Sequence, residues 1–212
     1  MDIDVIELIR PETMRIPINA AQKGRQAWFL GFHRAVNQIT LRERVALGMH
    51  SVVIFSDSVF LVGDEAGIVH SATSLMRLCM LQRIPVRMGI GYGTWTELHF
   101  GSSFSAKRRQ HAARFFGSGV TSAYYAEHKG GKGLRIFVHP KAATALRSCP
   151  QLMALPPRDR NEYASHELNF VKRRGGGQKN QMRSFLRLKA CVEEMEEAAN
   201  REDIHYRSTR PL

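Results

Sequence analysis

Apolar residues recur along this chain in blocks whose period changes, and those changes give the order of its elements. Residues 1–9 alternate between apolar and polar, and Pro11 and Pro17 interrupt the stretch before a helical period establishes itself. Residues 21–44 follow a helical period, with Trp28, Phe29, Phe32, Val36 and Ile39 on or near one face. Residues 51–62 are rich in β-branched and aromatic side chains and are broken only by Ser56-Asp57-Ser58, a hairpin signature. A helix is predicted over 66–82 around Leu75, Leu78 and Cys79. A strand follows over 83–92, which Pro85 starts and Gly89, Gly91 and, just beyond, Gly93 punctuate. Then come a polar, basic loop over 101–110, a helix over 117–127 after a Gly-Ser-Gly turn, a basic glycine loop over 130–133, and a strand over 134–138 stopped by Pro140.

Helix, strand, strand, helix, strand, helix, strand is buried most economically as an α+β fold, with helices against one face of a mainly antiparallel sheet. Beyond Pro156-Pro157 the chain carries Gly175-Gly176-Gly177 and then an amphipathic helical pattern over 181–200. This tail reads as an appendage or dimer-contact element. The division expected is an α+β domain over 1–150 and a helical extension over 151–212.

Composition narrows the partners. With 212 residues, 43% of them hydrophobic, the chain can bury one sizeable core. Lys and Arg number 31 against 19 Asp and Glu, a net charge of +12, so an anionic partner is expected. Nucleic acid, an acidic membrane surface and a phosphorylated small molecule all satisfy that charge. No apolar run approaches the roughly 20 residues that span a bilayer. Asp2, Asp4 and Glu7 stand where a secretory signal carries basic residues, so a soluble, cytoplasmic protein is expected. Cys79, Cys149 and Cys191 are too few and scattered for a disulfide framework or a four-thiolate zinc site. P-loop, dinucleotide and zinc deaminase patterns are missing, and Arg109-Gln110-His111 lacks the aromatic interleaving of a single-strand platform.

Asp57 is the sharpest chemical candidate, because it sits between two apolar runs, Val52 to Phe55 and Val59 to Val62. A carboxylate there is either a turn residue bonded to backbone or a ligand for a hard cation such as Mg²⁺. Gly117-Ser118-Gly119 at a helix start either offers free N–H groups to phosphate or forms an ordinary turn capped by Ser118. The glycines at 89, 91 and 93 suit close approach of a ligand or partner subunit, and twisted strand geometry equally.

Four blocks then carry a family resemblance. They are Phe55-Ser56-Asp57-Ser58-Val59-Phe60-Leu61-Val62, Pro85-Val86-Arg87-Met88-Gly89-Ile90-Gly91-Tyr92-Gly93, Phe116-Gly117-Ser118-Gly119-Val120-Thr121-Ser122-Ala123-Tyr124-Tyr125-Ala126-Glu127, and Gly133-Leu134-Arg135-Ile136-Phe137-Val138-His139-Pro140. In this order they resemble a class III nucleotidyl cyclase domain, and within that superfamily the bacterial Pycsar anti-phage cyclases, which make cyclic UMP or cyclic CMP.

The resemblance implies a ferredoxin-like βαββαβ core and a homodimer with composite active sites. It also implies two divalent ions, Mg²⁺ or Mn²⁺, held by two aspartates. Asp57 matches the second of these. For the first, the near match is Asp4 in Ile3-Asp4-Val5-Ile6-Glu7, with Glu7 where glycine is expected and only three residues ahead of Asp4. Either Asp4 is that ligand or the family's first strand is absent from this sequence.

On the third block Thr121 and Tyr125 occupy the positions of the family's transition-state asparagine and arginine. Thr121 retains a hydrogen-bonding hydroxyl, whereas Tyr125 supplies no fixed cation. Arg114, Lys132 and Arg135 are the candidate replacements, each with a solvated basic surface as its alternative. Arg87 is a candidate contact to base or triphosphate, Gly117 and Ser118 to phosphate, Tyr92 and Trp95 to a stacked base or to packing, and His50 to the base.

The implied reaction converts UTP, or CTP, to the 3′,5′-cyclic nucleotide and pyrophosphate, and the product activates a separate effector in anti-phage defence. No nucleic-acid partner and no membrane insertion are expected on this resemblance. A catalytically silent cyclase-like dimer and a basic nucleic-acid-binding module are the alternatives.

Overall fold

The computed structural model describes residues 4–11, 18–43, 48–54, 58–99, 113–131, 133–171, 183, 185–191 and 193. Its first half is β1 (Asp4–Pro11), α1 (Ile18–Glu43), β2 (Met49–Ile54), β3 (Val59–Gly63), α2 (Glu65–Leu81) and β4 (Val86–Gly93). These are the expected βαββαβ elements, and they lie in the sheet as β2-β3-β1-β4 with every neighbouring pair antiparallel. The α+β, ferredoxin-like expectation is therefore met.

The second half is β5 (Thr96–His99), β6 (Ala113–Phe116), α3 (Ser118–Lys129), β7 (Ile136–Val138), α4 (Pro140–Ala145), β8 (Leu152–Ala154) and β9 (His166–Leu168). Strand β7 joins β4 in parallel, and β9 and β8 extend the same sheet to seven strands. A boundary at residue 150 therefore does not hold, because β8 and β9 complete the sheet. Nor is the tail only an appendage: Leu188 and Cys191, in the helical residues near its start, are buried, and Leu188 joins the main core.

Two apolar layers flank the sheet. Phe32, Val36 and Ile39 of α1 and Ile68, Leu75 and Met76 of α2 pack on Val59, Leu61, Val86, Met88 and Ile90. On the opposite face Val53, Phe60 and Val62 meet Ala123 of α3 and the ring pair Trp95 and Phe115, whose centroids are 5.2 Å apart and nearly parallel. Strand alternation separates the two sets: Val59 and Leu61 go one way, Phe60 and Val62 the other. Trp95 is thus a packing residue, and so is half-buried Tyr92, which lies against the main core.

Helix α2 begins at a carboxylate cap, Asp64, whose Oδ1 accepts from Gly67 N at 2.7 Å. Helix α4 begins at His139, whose Nδ1 accepts from Lys141 N at 3.3 Å. Burial, and then the Lys141 charge, hold the His139 pKa below 6.5, and burial with Arg160 does the same for His166. The unfolded chain therefore binds more protons than the folded one as pH falls through 6.5. Stability is expected to be full above that pH and to decline below it. Urea unfolding at pH 7.5 and pH 5.0 checks this, and His139→Asn, which keeps a capping acceptor without a titrating ring, should reduce the decline.

Candidate active site

Helix α3 lies against the opposite face of the sheet from α1 and α2, and the glycines of β4 set how close it comes. A Cβ on Gly89 would fall within 3.0 Å of Ala123 O and Glu127 N, and one on Gly91 equally near Ala123 N and Gly119 O. The approaching group along this strip is therefore the chain's own helix, not a ligand or partner subunit. Gly93 completes the strip against Ser118 and Gly119.

Both ends of α3 are fastened. At its start, Ser118 N donates to Thr94 Oγ1 at 3.1 Å, Gly119 N donates to Thr94 O at 3.2 Å, and Thr94 N donates to Ser118 Oγ at 3.0 Å. The amide groups expected to be free for phosphate at Ser118 and Gly119 are thus used by Thr94, a partner 24 residues away in sequence. Gly117, with φ near +148°, makes the sharp entry beneath Thr94 that a Cβ would block.

At the other end Arg87 Nε and Nη2 reach Glu127 Oε1 at 3.1 and 3.0 Å, and Nη1 donates to Gly131 O at 3.3 Å. The two side chains are 14% and 3% exposed. Arg87, expected to meet a base or triphosphate, is committed to an internal ion pair. Sequence reasoning missed Glu127 altogether. Its signal was a lone acidic residue on the helix face that spacing puts opposite the glycine strip.

Arg135 is also committed. Its Nε meets Glu167 Oε2 at 2.7 Å, its Nη1 meets Asp159 Oδ2 at 3.5 Å, and its guanidinium lies 5.2 Å from the Phe137 ring centroid. Two carboxylates offset its charge, which argues against a cation poised for a phosphorus centre. Arg114 stands in β6 opposite Leu98. His50 falls at the register shift between Met49 and Ser51 in β2. Asp57 and Lys132 lie outside the described residues.

Thr121 and Tyr125 are exposed on α3, one turn apart, with Thr121 Oγ1 donating to Gly117 O at 3.2 Å. Tyr125 is 38% exposed, and its ring centroid is 5.0 Å from that of Tyr163. Asn161 Nδ2, donating to Lys129 O at 2.9 Å, fixes the Tyr163 loop to the end of the helix.

The register of β1 corrects the placement of Asp4. Asp4 begins the strand, opposite Gly93, whereas Ile9 at the far end pairs with Val59, the first residue of β3. The β2–β3 connection that contains Asp57 leaves the sheet beside Ile9. Five residues at about 3.4 Å put Asp4 roughly 17 Å from that level. Asp4 therefore begins β1 at the end away from Val59, where the expected ligand would follow the strand. Among the described residues no three His, Cys, Asp or Glu side chains gather as metal ligands.

Solved structures that align with this architecture include nucleotide cyclases. An adenylate cyclase of Trypanosoma brucei, described in its monomeric state, aligns with a TM-score of 0.57 at 15% identity, over 83% of this chain and 92% of that one. The catalytic core of a rhodopsin-guanylyl cyclase of converted specificity, in complex with ATPαS, aligns at 0.55 and 12%, over 79% and 95%. A bacterial light-regulated adenylyl cyclase aligns at 0.50 and 12%, over 91% and 97%. No protein-family model and no curated protein sequence matches the chain. The chain has the class III cyclase fold. Among the described residues no helix is long and apolar enough to cross a membrane.

Proposed function

We propose that this protein is a nucleotidyl cyclase that acts as a homodimer on a pyrimidine nucleoside triphosphate, UTP ahead of CTP. The single observation that carries the proposal is a sheet of cyclase topology whose β2–β3 connection contains Asp57. In the reaction the 3′-oxygen bonds to the α-phosphorus and the bridge to the β-phosphate breaks. The 3′-hydroxyl proton is lost to solvent, and pyrophosphate leaves.

Asp57 is the carboxylate this reading requires. A divalent ion, Mg²⁺ or Mn²⁺, would be held at Asp57 and would supply the charge that offsets the phosphates, and no step is written through it. Thr121, which is exposed, would exchange its bond to Gly117 O for one to ribose or phosphate of a substrate bound against α3 in a composite site. Tyr125 offers a ring there in place of a cation. The cyclic nucleotide would be a cytoplasmic second messenger of anti-phage defence acting on a separate effector, on the Pycsar resemblance.

A second reading, a catalytically silent cyclase-like dimer, draws on the internal pairing of Arg87 and Arg135 and on the register of Asp4. Asp57→Ala separates the possibilities. An enzyme should lose at least about a thousandfold in cyclic nucleotide formation while its unfolding transition stays put. A scaffold shows no product before or after the change. A nucleic-acid-binding module shows strongly salt-dependent binding to long polyanions that Asp57→Ala barely alters.

A further inference from the structure

Helix α3 has two unlike sides. Gly119, Ser122, Ala123 and Glu127 are buried toward the glycine strip of β4, whereas Thr121, Tyr124, Tyr125 and His128, spaced i, i+3, i+4 and i+7, make up the outer side. Thr121, Tyr125 and His128 are exposed and Tyr124 is half-buried. An outer helix face is ordinarily charged, yet three of these four residues are rings and none is Lys or Arg. Tyr124 and His128 are stacked with centroids 5.5 Å apart, and the Tyr125 ring lies beside that of half-buried Tyr163 at an angle of 33°. Tyr163 belongs to a loop that is built onto the helix. Asn161 Oδ1 accepts from Tyr163 N and Ala164 N, each at 2.8 Å, while its Nδ2 holds Lys129 O, and Ala164 is buried with Ala126 and Phe137. The Tyr163 hydroxyl donates to Glu162, which holds its pKa above 10.0 and leaves the ring as the group Tyr163 has to offer. With centroids 5.0 Å apart the Tyr125 and Tyr163 rings touch, so nothing enters between them and they present one surface outward.

We propose that Tyr125 and Tyr163 form the surface on which the base of the bound nucleotide stacks, and that Asn161 is the positioning residue that keeps Tyr163 in it. The inference rests on the nucleotide reading of the preceding subsection, in which Thr121 meets ribose or phosphate. Thr121 and Tyr125 are successive positions of one i, i+4 row, about 6 Å apart along the helix axis. A ribose at Thr121 therefore brings its own base to the Tyr125 ring. The rings expected for this task, Tyr92 and Trp95, are spent on packing. The absence of Lys and Arg from the stripe suits the uncharged end of a nucleotide and not its triphosphate, since a base needs only a flat partner for its π-face.

The test separates base from phosphate. Calorimetry measures binding to the full chain, with Mn²⁺ present, of the non-cyclising probe α,β-methylene-UTP and of tripolyphosphate, which has no base. Tyr163→Leu and Tyr125→Leu should each weaken the nucleotide about fivefold or more and leave tripolyphosphate unchanged. Tyr163→Phe, which keeps the ring, should bind both probes as the unaltered chain does, and Asn161→Ala should repeat the Tyr163→Leu pattern to a smaller extent. Damage to the fold would instead fall on both probes alike. Folded leucine variants that bind the nucleotide as the unaltered chain does, or that lose both probes equally, would overturn the proposal. If the leucine variants do not fold, the ring-proton resonances of Tyr125 and Tyr163 in the unaltered chain decide: they should shift with α,β-methylene-UTP and not with tripolyphosphate, and resonances unmoved by bound nucleotide would overturn it. Failure of the folded, unaltered chain to bind either probe would instead remove the nucleotide reading beneath it.

Discussion

Replacing Gly91 by valine is expected to destabilise the protein by about 3 kcal/mol or more, at the upper end of what overpacking costs. Even a first carbon at this position falls within 3.0 Å of Ala123 N and Gly119 O, which are backbone atoms and cannot rotate aside. Relief requires α3 to lift from β4, and lifting it opens the Val53, Phe60, Val62 and Ala123 cluster to water. Gly91→Ala should already cost a large part of this. The comparison that isolates the mechanism is Gly131→Ala. The nearest neighbours of a carbon added there are Phe137 ring atoms at 3.4 Å, so any loss reflects the φ of +138° and not the helix. Urea unfolding of the three variants, with protection of α3 amides from hydrogen exchange, measures both effects. Gly91→Val with native stability would mean that α3 does not sit on the strip.

Arg87→Ala is expected to cost about 3–5 kcal/mol, because it leaves the Glu127 carboxylate buried without its counter-charge. Among the described residues the Glu127 Oε2 atom has no hydrogen-bond partner, so Arg87 is the one described counter-charge of this carboxylate. Removing both charges should be far milder. Arg87→Met with Glu127→Leu is expected to recover most of the loss, since a buried pair replaced by apolar groups of similar volume is often neutral or better. A single-variant loss below about 1 kcal/mol, or a double variant no more stable than Arg87→Ala, would contradict this. The same pair explains why Arg87 is a poor candidate for binding substrate: its donors already point at Glu127 and Gly131.

The elements with a strong internal period were legible from sequence, because one buried face fixes a helix or strand whatever it packs against. Helices predicted over 21–44, 66–82 and 117–127 correspond to Ile18–Glu43, Glu65–Leu81 and Ser118–Lys129. Apart from β7, the shortest strands were not. β5, β6, β8 and β9 each have only three or four residues, too few to show a period, and they are held by partners rather than by their own pattern. β1 was obscured by Pro11, which ends the strand instead of preventing it.

The candidate site was legible to the level of residue type. Three glycines two residues apart announce a strip on one strand face, but what fills it depends on α3, thirty residues further along. Ser118 reads equally as a phosphate contact or a cap until Thr94 is seen across from it. Arg87 and Arg135 read as available cations, and only the long-range carboxylates Glu127 and Glu167 show where their charge goes. Asp4 was misplaced for a related reason, since a position in sequence says which strand holds a residue but not which end of the sheet it meets.

The most direct test of nucleotide cyclisation incubates the purified chain, shown to be folded and dimeric, with UTP, CTP, ATP and GTP separately in the presence of Mn²⁺. Products are then identified by chromatography and mass. A 3′,5′-cyclic pyrimidine monophosphate released with one equivalent of pyrophosphate is the predicted result, and no cyclic product from any of the four nucleotides would contradict it.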